Sequence, residues 1–170
     1  MKLTTFSLAN HLISNMRDYV KEHSSLSTNP IDIALSFPEI IRFRFHLFLS
    51  GESTESLDGN KINLAYLEKD FKRSDLSIRI EPNFTMPIGY VLSENVFVIW
   101  DAIANSDIGV YAKLSVDTQS VIAAHFSKYH VRDVKYGDRK EAVMTAKPTY
   151  IYQAIKNCYE LTIRGFARGI

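Results

Sequence analysis

Three acid-x-Lys pairs stand in the sequence: Asp70-x-Lys72, Asp133-x-Lys135 and Asp138-x-Lys140. On a strand, with a further acid earlier in the chain, such a pair can hold Mg²⁺. The ion lowers the pKa of its bound water, and the lysine assists attack on a phosphodiester. Asp133 and Lys135 lie in an alternating stretch, and Asp101 closes the apolar run Val96–Trp100. Asp101, Asp133 and Lys135 are thus the candidate set for a Mg-dependent nuclease of restriction type. The gap between Asp101 and Asp133 is long for such a site, and a helical stretch intervenes. Charge pairing on a solvated strand accounts for the same residues, so catalysis is the alternative and binding the first expectation.

Other chemistries find less support. His125 and His130 are five apart, without a cysteine partner or the four-residue helical offset of a metal pair. There is no glycine-rich phosphate loop and no Gly-x-Ser-x-Gly elbow. Cys158 is the only cysteine, so neither a disulfide nor a four-cysteine zinc site can form within the chain. Its spacing from Ile151, Ala154, Ile155 and Leu161 is helical, which makes it a core residue. No catalytic residue, metal or cofactor is expected.

Groups suited to binding are more numerous. Between Lys128 and Lys147 there are six Lys or Arg against three acids, with His125 and His130 close by. Lys128, Arg132, Lys135, Arg139 and Lys140 can hold phosphates, which positions a duplex without reading its sequence. Arg42, Arg44 and His46 alternate with Phe43, Phe45 and Leu47, so the three share one strand face. A polar loop follows, with Ser53, Glu55, Ser56 and Asn60, and then Lys61. A second carries Asn105, Ser106 and Asp107, with Tyr111 and Lys113 after it. Amides, hydroxyls, carboxylates, ammonium and guanidinium groups are what read base edges in the major groove, so Arg42, Arg44, His46, Ser53, Glu55, Ser56, Asn60, Lys61, Asn105, Ser106, Asp107, Tyr111 and Lys113 are the candidate base readers. The same loops also suit ordinary solvent-facing turns. Glu52, Glu55 and Asp58 repel phosphates and fit only if they face base amino groups or solvent. With 9 Tyr, 10 Phe and 1 Trp, a module that docks a modified base or a protein is a third reading.

The elements that would position these groups follow from periodicity. The chain has 170 residues, is 46% hydrophobic and carries a net charge of +1, which fits one globular domain. No apolar run is long enough to span a membrane and no signal pattern opens the chain, so a cytoplasmic location is expected. Phe6, Ala9, Ile13, Met16 and Val20 predict an N-terminal helix over 6–24. The polar stretch Ser24–Asn29 breaks at Pro30, and strands are expected after Pro38. They are placed at 42–47, 61–68, 77–81, 88–92, 95–100, 110–114, 131–136 and 142–146. The pair at 88–100 forms a hairpin around Ser93-Glu94, and the last two pair across Gly137-Asp138. Asp117 or Thr118 can cap a short helix through Phe126, and Thr149 a last one through about Leu161. The fold class is mainly β, a barrel or sandwich with flanking N-terminal and C-terminal helices.

From Arg42 onward several segments come in a recognisable order. These are Arg42-Phe-Arg-Phe-His-Leu-Phe, Lys61-Ile-Asn-Leu, Ile88-Gly-Tyr, Val96-Phe-Val-Ile-Trp-Asp-Ala, Lys113-Leu-Ser-Val and Glu141-Ala-Val. The pattern resembles the DNA-recognition domains of restriction endonucleases with a B-three fold. It is most similar to the N-terminal DNA-binding domain of LlaJI-type restriction systems. It covers roughly residues 40–157, and Trp100-Asp101-Ala102 is its most specific piece. The resemblance implies an open, seven-stranded β-pseudobarrel with two arms that enter the major groove, mapped to Ser50–Asn60 and Ala102–Lys113. It implies a sequence-specific reader of double-stranded DNA, fused to a GTPase motor of the McrB kind and served by a separate nuclease subunit. The whole of 1–170 then reads as one DNA-binding domain, excised from a larger restriction subunit.

If the two loops are arms, their side chains carry the sequence information. Asn105→Ala and Ser56→Ala are each expected to relax preference at one or two base positions. Each costs about 1–3 kcal/mol on the preferred site and leaves binding to unrelated duplexes nearly unchanged. Competition against single-base variants of a selected site measures this, and equal weakening on every sequence contradicts it.

Overall fold

The computed structural model describes residues 3–51, 60–67, 83–101, 113–136 and 139–167, without the side chains of 113, 134–136, 139–141 and 165–167. Its centre is a mixed sheet of nine strands among the described residues, β1 (Val20–His23), β2 (Ile31–Ser36), β3 (Ile40–Ser50), β4 (Lys61–Tyr66), β5 (Phe84–Val91), β6 (Val96–Trp100), β7 (Lys113–Asp117), β8 (Tyr129–Tyr136) and β9 (Arg139–Ala146). Three α-helices accompany it: α1 (Thr5–Ser14), α2 (Thr118–Ala123) and α3 (Ile151–Ala167). The fold is mainly β with flanking helices, and the sheet is not closed into a barrel. Among the described residues strands β3 to β9 are the seven that fall within 40–157, and β1 and β2 extend the sheet beyond them. The expected strand at 77–81 lies outside the described residues.

The main order is β1-β2-β3-β5-β6-β9-β8. Among the described strands only β3 and β5 run parallel. β5 is buried along its whole length, as a strand in mid-sheet with both faces covered must be. The long strand β3 serves two partners along one edge. Its first half pairs with β2, from Ile40 opposite Ser36 to Phe45 opposite Ile31. Its end pairs with β4, from Phe48 opposite Tyr66 to Ser50 opposite Leu64. Leu47 falls between the two. There the buried Asn29 side chain stands in for a strand: its Nδ2 donates to Leu47 O, and Leu47 N–H donates to its Oδ1, both at 2.9 Å. β4 in turn pairs with β7, from Lys61 opposite Asp117 to Ala65 opposite Lys113. β4 and β7 therefore form a two-stranded flap off the main path.

The sheet buries apolar side chains on both faces. On one, Phe43, Phe45, Leu47 and Met86 meet Leu8 and Leu12 of α1 and Ile151, Ile155 and Cys158 of α3. On the other, Phe48, Val98, Trp100 and Val143 meet Leu64 and Val116 of the flap and Val121 of α2. The second face has room for Trp100 because Gly89 lies beneath it. A Cβ on Gly89 would stand 2.5 Å from Leu64 Cδ2 and 2.6 Å from Trp100 Cη2. Trp100 Nε1 donates to Ser115 O at 3.2 Å, which ties β6 to β7.

Several expectations hold. The hairpin joins β5 to β6, with Ile88 opposite Ile99. β8 and β9 pair as far as Tyr136 opposite Arg139. Asp117 caps α2, and Cys158 is buried. Three need correction. The helix expected over 6–24 stops at Ser14, where the Asn15 side chain donates to His11 O at 2.8 Å. Met16 O then accepts from Tyr19 N–H and Val20 N–H, which turns the chain, and Val20–His23 pairs with β2 instead. β2 itself has no counterpart among the expected strands. The last helix opens as a 3-10 turn at Pro148–Tyr150 without a side-chain cap, and α3 runs on to Ala167. Among the described residues no helix is long and apolar enough to cross a membrane.

Gly89→Ala overfills the space under Trp100 and is expected to cost about 1–3 kcal/mol. A urea unfolding curve measures it, and an unshifted midpoint contradicts the packing.

Candidate nucleic-acid interface

The two polar connections enter the same structural unit. Residues 51–60 lead from β3 into β4, and residues 101–112 lead from β6 into β7. Because β4 and β7 pair with each other, both connections are tethered to the flap. Ser53, Glu55, Ser56, Asn105, Ser106, Asp107 and Tyr111 lie outside the described residues, as does the Lys113 side chain. Asn60 is exposed, and its carbonyl accepts Thr118 N–H at 2.9 Å. Lys61 is exposed at the first position of β4, opposite Asp117.

Arg42, Arg44 and His46 share a face of β3 but not an environment. Arg42 is exposed and ion-paired with Glu22 of β1. Arg44 donates from Nε to Asp32 Oδ1 at 2.8 Å and from Nη2 to Asp32 Oδ2 at 3.0 Å. That carboxylate raises the Arg44 pKa, against the opposing effect of burial. His46 is 1% exposed and its Nδ1 lies 3.1 Å from the Tyr66 hydroxyl. The alternation along β3 is as expected, yet the flap folds over this face from residue 46 onward. The His46 ring therefore lies under β4 and is removed from the set of surface readers.

The basic stretch is also partly neutralised. Lys128 is exposed between α2 and β8. Arg132 on β8 reaches back to Asp117, with Nη1 2.7 Å from Oδ1. The side chains of Lys135, Arg139 and Lys140 lie outside the described residues, although Lys135 is opposite Lys140 and Arg139 opposite Tyr136 where β8 and β9 meet. Asp117 has a double role, since it also accepts Ser120 N–H at 2.8 Å and Ser120 Oγ at 2.6 Å as the cap of α2. Burial alone would push its carboxyl up. The two Ser120 hydrogen bonds and the Arg132 charge outweigh that and hold it below the ordinary value.

The nuclease alternative places its acids on either side of one strand. Asp101 N–H donates to Ala142 O at 3.1 Å, and Asp133 lies opposite Ala142 on the far side of β9. Two strand spacings separate their backbones, roughly 10 Å. The Asp101 carboxylate accepts Thr162 Oγ1 of α3 at 3.2 Å. The Lys135 side chain lies outside the described residues. Among the described residues no group of three His, Cys, Asp or Glu side chains could hold a metal ion.

Three residues that matter here are absent from the expected site: Glu22, Asp32 and, as an ion-pair partner, Asp117. Asp32 has a signal in the sequence, because Ile31-Asp32-Ile33 alternates as a strand with its acid on the polar face. No family model, curated protein or solved structure matches the chain.

Asp117→Ala removes a cap and an ion-pair partner and is expected to cost about 1–2 kcal/mol near neutral pH. Because the carboxyl pKa is lowered in the folded state, its contribution is present above the unfolded value and lost as pH falls through the folded one. The gap between variant and wild type therefore narrows on acidification. Thermal melts from neutral pH down to the acid limb read it, and a gap constant with pH contradicts the assignment.

Proposed function

We propose that the chain is a sequence-specific reader of double-stranded DNA, the target-recognition domain of a cytoplasmic restriction system. The observation that carries this reading is the tethering of both polar connections to one flap. The two arms that the B-three resemblance implies correspond to the connections that enter β4 and β7. Such a unit carries two polar segments on one support, which suits a protein that reads base edges. Lys61 and Lys128 lie exposed on the described surface, Lys61 beside the first connection where it suits base readout and Lys128 where it suits the binding of phosphates. On this reading cleavage belongs elsewhere, in a nuclease subunit working with a fused GTPase motor. Asp101 is then structural, its carboxylate accepting Thr162 Oγ1 of α3 at 3.2 Å.

The domain is expected to shift duplex DNA and leave it intact with Mg²⁺ or Mn²⁺. Lys128→Ala is expected to weaken binding to all duplexes alike. It lowers the slope of log affinity against log salt by about one, the share of a single neutralised phosphate. Gel-shift titration over a salt series, with plasmid integrity followed in parallel, tests both. Nicking abolished by Asp133→Ala transfers the assignment to the nuclease, and absence of duplex binding contradicts the proposal.

A further inference from the structure

Arg44 and Asp32 differ from the other surface ion pairs in their geometry. Two parallel hydrogen bonds, at 2.8 and 3.0 Å, lock the guanidinium in the plane of the carboxylate. Such a fork removes most of the rotational freedom of a long side chain. Its support is rigid, since β3 pairs at this point with β2 through Asp32 and with β5 through Thr85. The pair is also placed at a boundary. His46, Phe48 and Ser50, the next residues on this face, are buried beneath the flap, whereas the Arg44 and Asp32 side chains are 41% and 40% exposed. Arg44 is thus the last residue of this face that solvent still reaches before the flap begins.

A guanidinium has five N–H donors in a fixed fork, and Asp32 engages two. The outer edge, formed by Nη1 and the second hydrogen of Nη2, still offers two parallel donors. Guanine presents two matching acceptors in the major groove, O6 and N7, whereas adenine sets a donor beside its acceptor there. The Asp32 charge also offsets that of Arg44, so the pair adds little general attraction for phosphate. Its value lies in orientation.

We propose that Asp32 is a positioning residue for specificity, holding Arg44 so that its outer edge reads the O6/N7 edge of one guanine in the target duplex. This rests on the DNA-reading proposal above. Asp32 acts through Arg44 and touches no base itself.

The test uses the full chain and a duplex selected from a random library. Wild type, Arg44→Ala, Asp32→Ala and Asp32→Asn are compared against all single-base variants of that duplex and against unrelated duplexes. Asn keeps one acceptor in place and preserves the shape of the site, which guards against an effect that only reflects folding. Arg44→Ala is expected to lose about tenfold or more in discrimination at one G·C pair. Asp32→Ala is expected to lose discrimination at that same pair while affinity for unrelated duplexes holds or rises. Asp32→Asn is expected to fall between Asp32→Ala and wild type. Wild-type discrimination by both Asp32 variants overturns the proposal. So does a uniform gain on every duplex with base preference intact, which would make Asp32 only a charge partner. Uniform weakening by Arg44→Ala with a lower salt slope makes Arg44 a phosphate binder and overturns it as well. Failure of wild type to bind any duplex is a separate result, and it removes the DNA reading itself.

Discussion

Trp100 and Leu64 both lie over Gly89, and Ser115 O accepts the indole N–H. Phe48, Val98 and Val143 of the sheet and Val121 of α2 also meet the flap, and Arg132 of β8 pairs with Asp117 at the end of β7, but the backbone junction is small. β4 meets the main sheet through three residue pairs at the end of β3, and β7 pairs with β4 alone. A two-stranded ribbon with so short a junction is marginal by itself. The indole supplies part of the apolar surface on which the flap rests and a hydrogen bond to its outer strand. The Tyr66 hydroxyl beside His46 secures the other end of β4. Both polar connections lead into this flap, so their placement depends on the same packing.

Electrostatics on the described surface work by pairing rather than by accumulation. Arg42 faces Glu22, Arg44 faces Asp32 and Arg132 faces Asp117, each from a neighbouring element. Exposed pairs of this kind contribute little to stability. They do orient side chains and limit indiscriminate attraction to polyanions. A chain of net charge +1 arranged in this way suits recognition by geometry more than by bulk charge. On the proposed reading, general affinity comes from lysines and discrimination from oriented groups.

Much of the sheet is legible in the sequence because its strands alternate or run apolar between clear turns. The hairpins β5–β6 and β8–β9 and the capped helix α2 fall where periodicity and turn chemistry place them. β2 escapes because it sits between Pro30 and Pro38, in a stretch that reads as a break, although Ile31, Ile33 and Leu35 alternate. Residues 20–24 are drawn into the expected helix because Met16 and Val20 continue its spacing, and only pairing with β2 tells otherwise. The same gap hides the acids opposite Arg42 and Arg44, since a cross-strand partner is invisible until its strand is known. His46 shows a different limit. Its face follows from alternation, but a face can pass from open to covered along one strand, and that depends on where a distant flap lands.

Hydrogen exchange on Trp100→Phe tests the dependence of the flap on the indole most directly. Phe retains an aromatic ring over Gly89 but lacks the donor to Ser115 and part of the surface beneath Leu64. If the indole holds the flap, exchange is faster at Leu64 and Val116, on β4 and β7, with Phe45 and Ile88 in mid-sheet still protected. Equal loss of protection at all four positions, or no change at any, would contradict it.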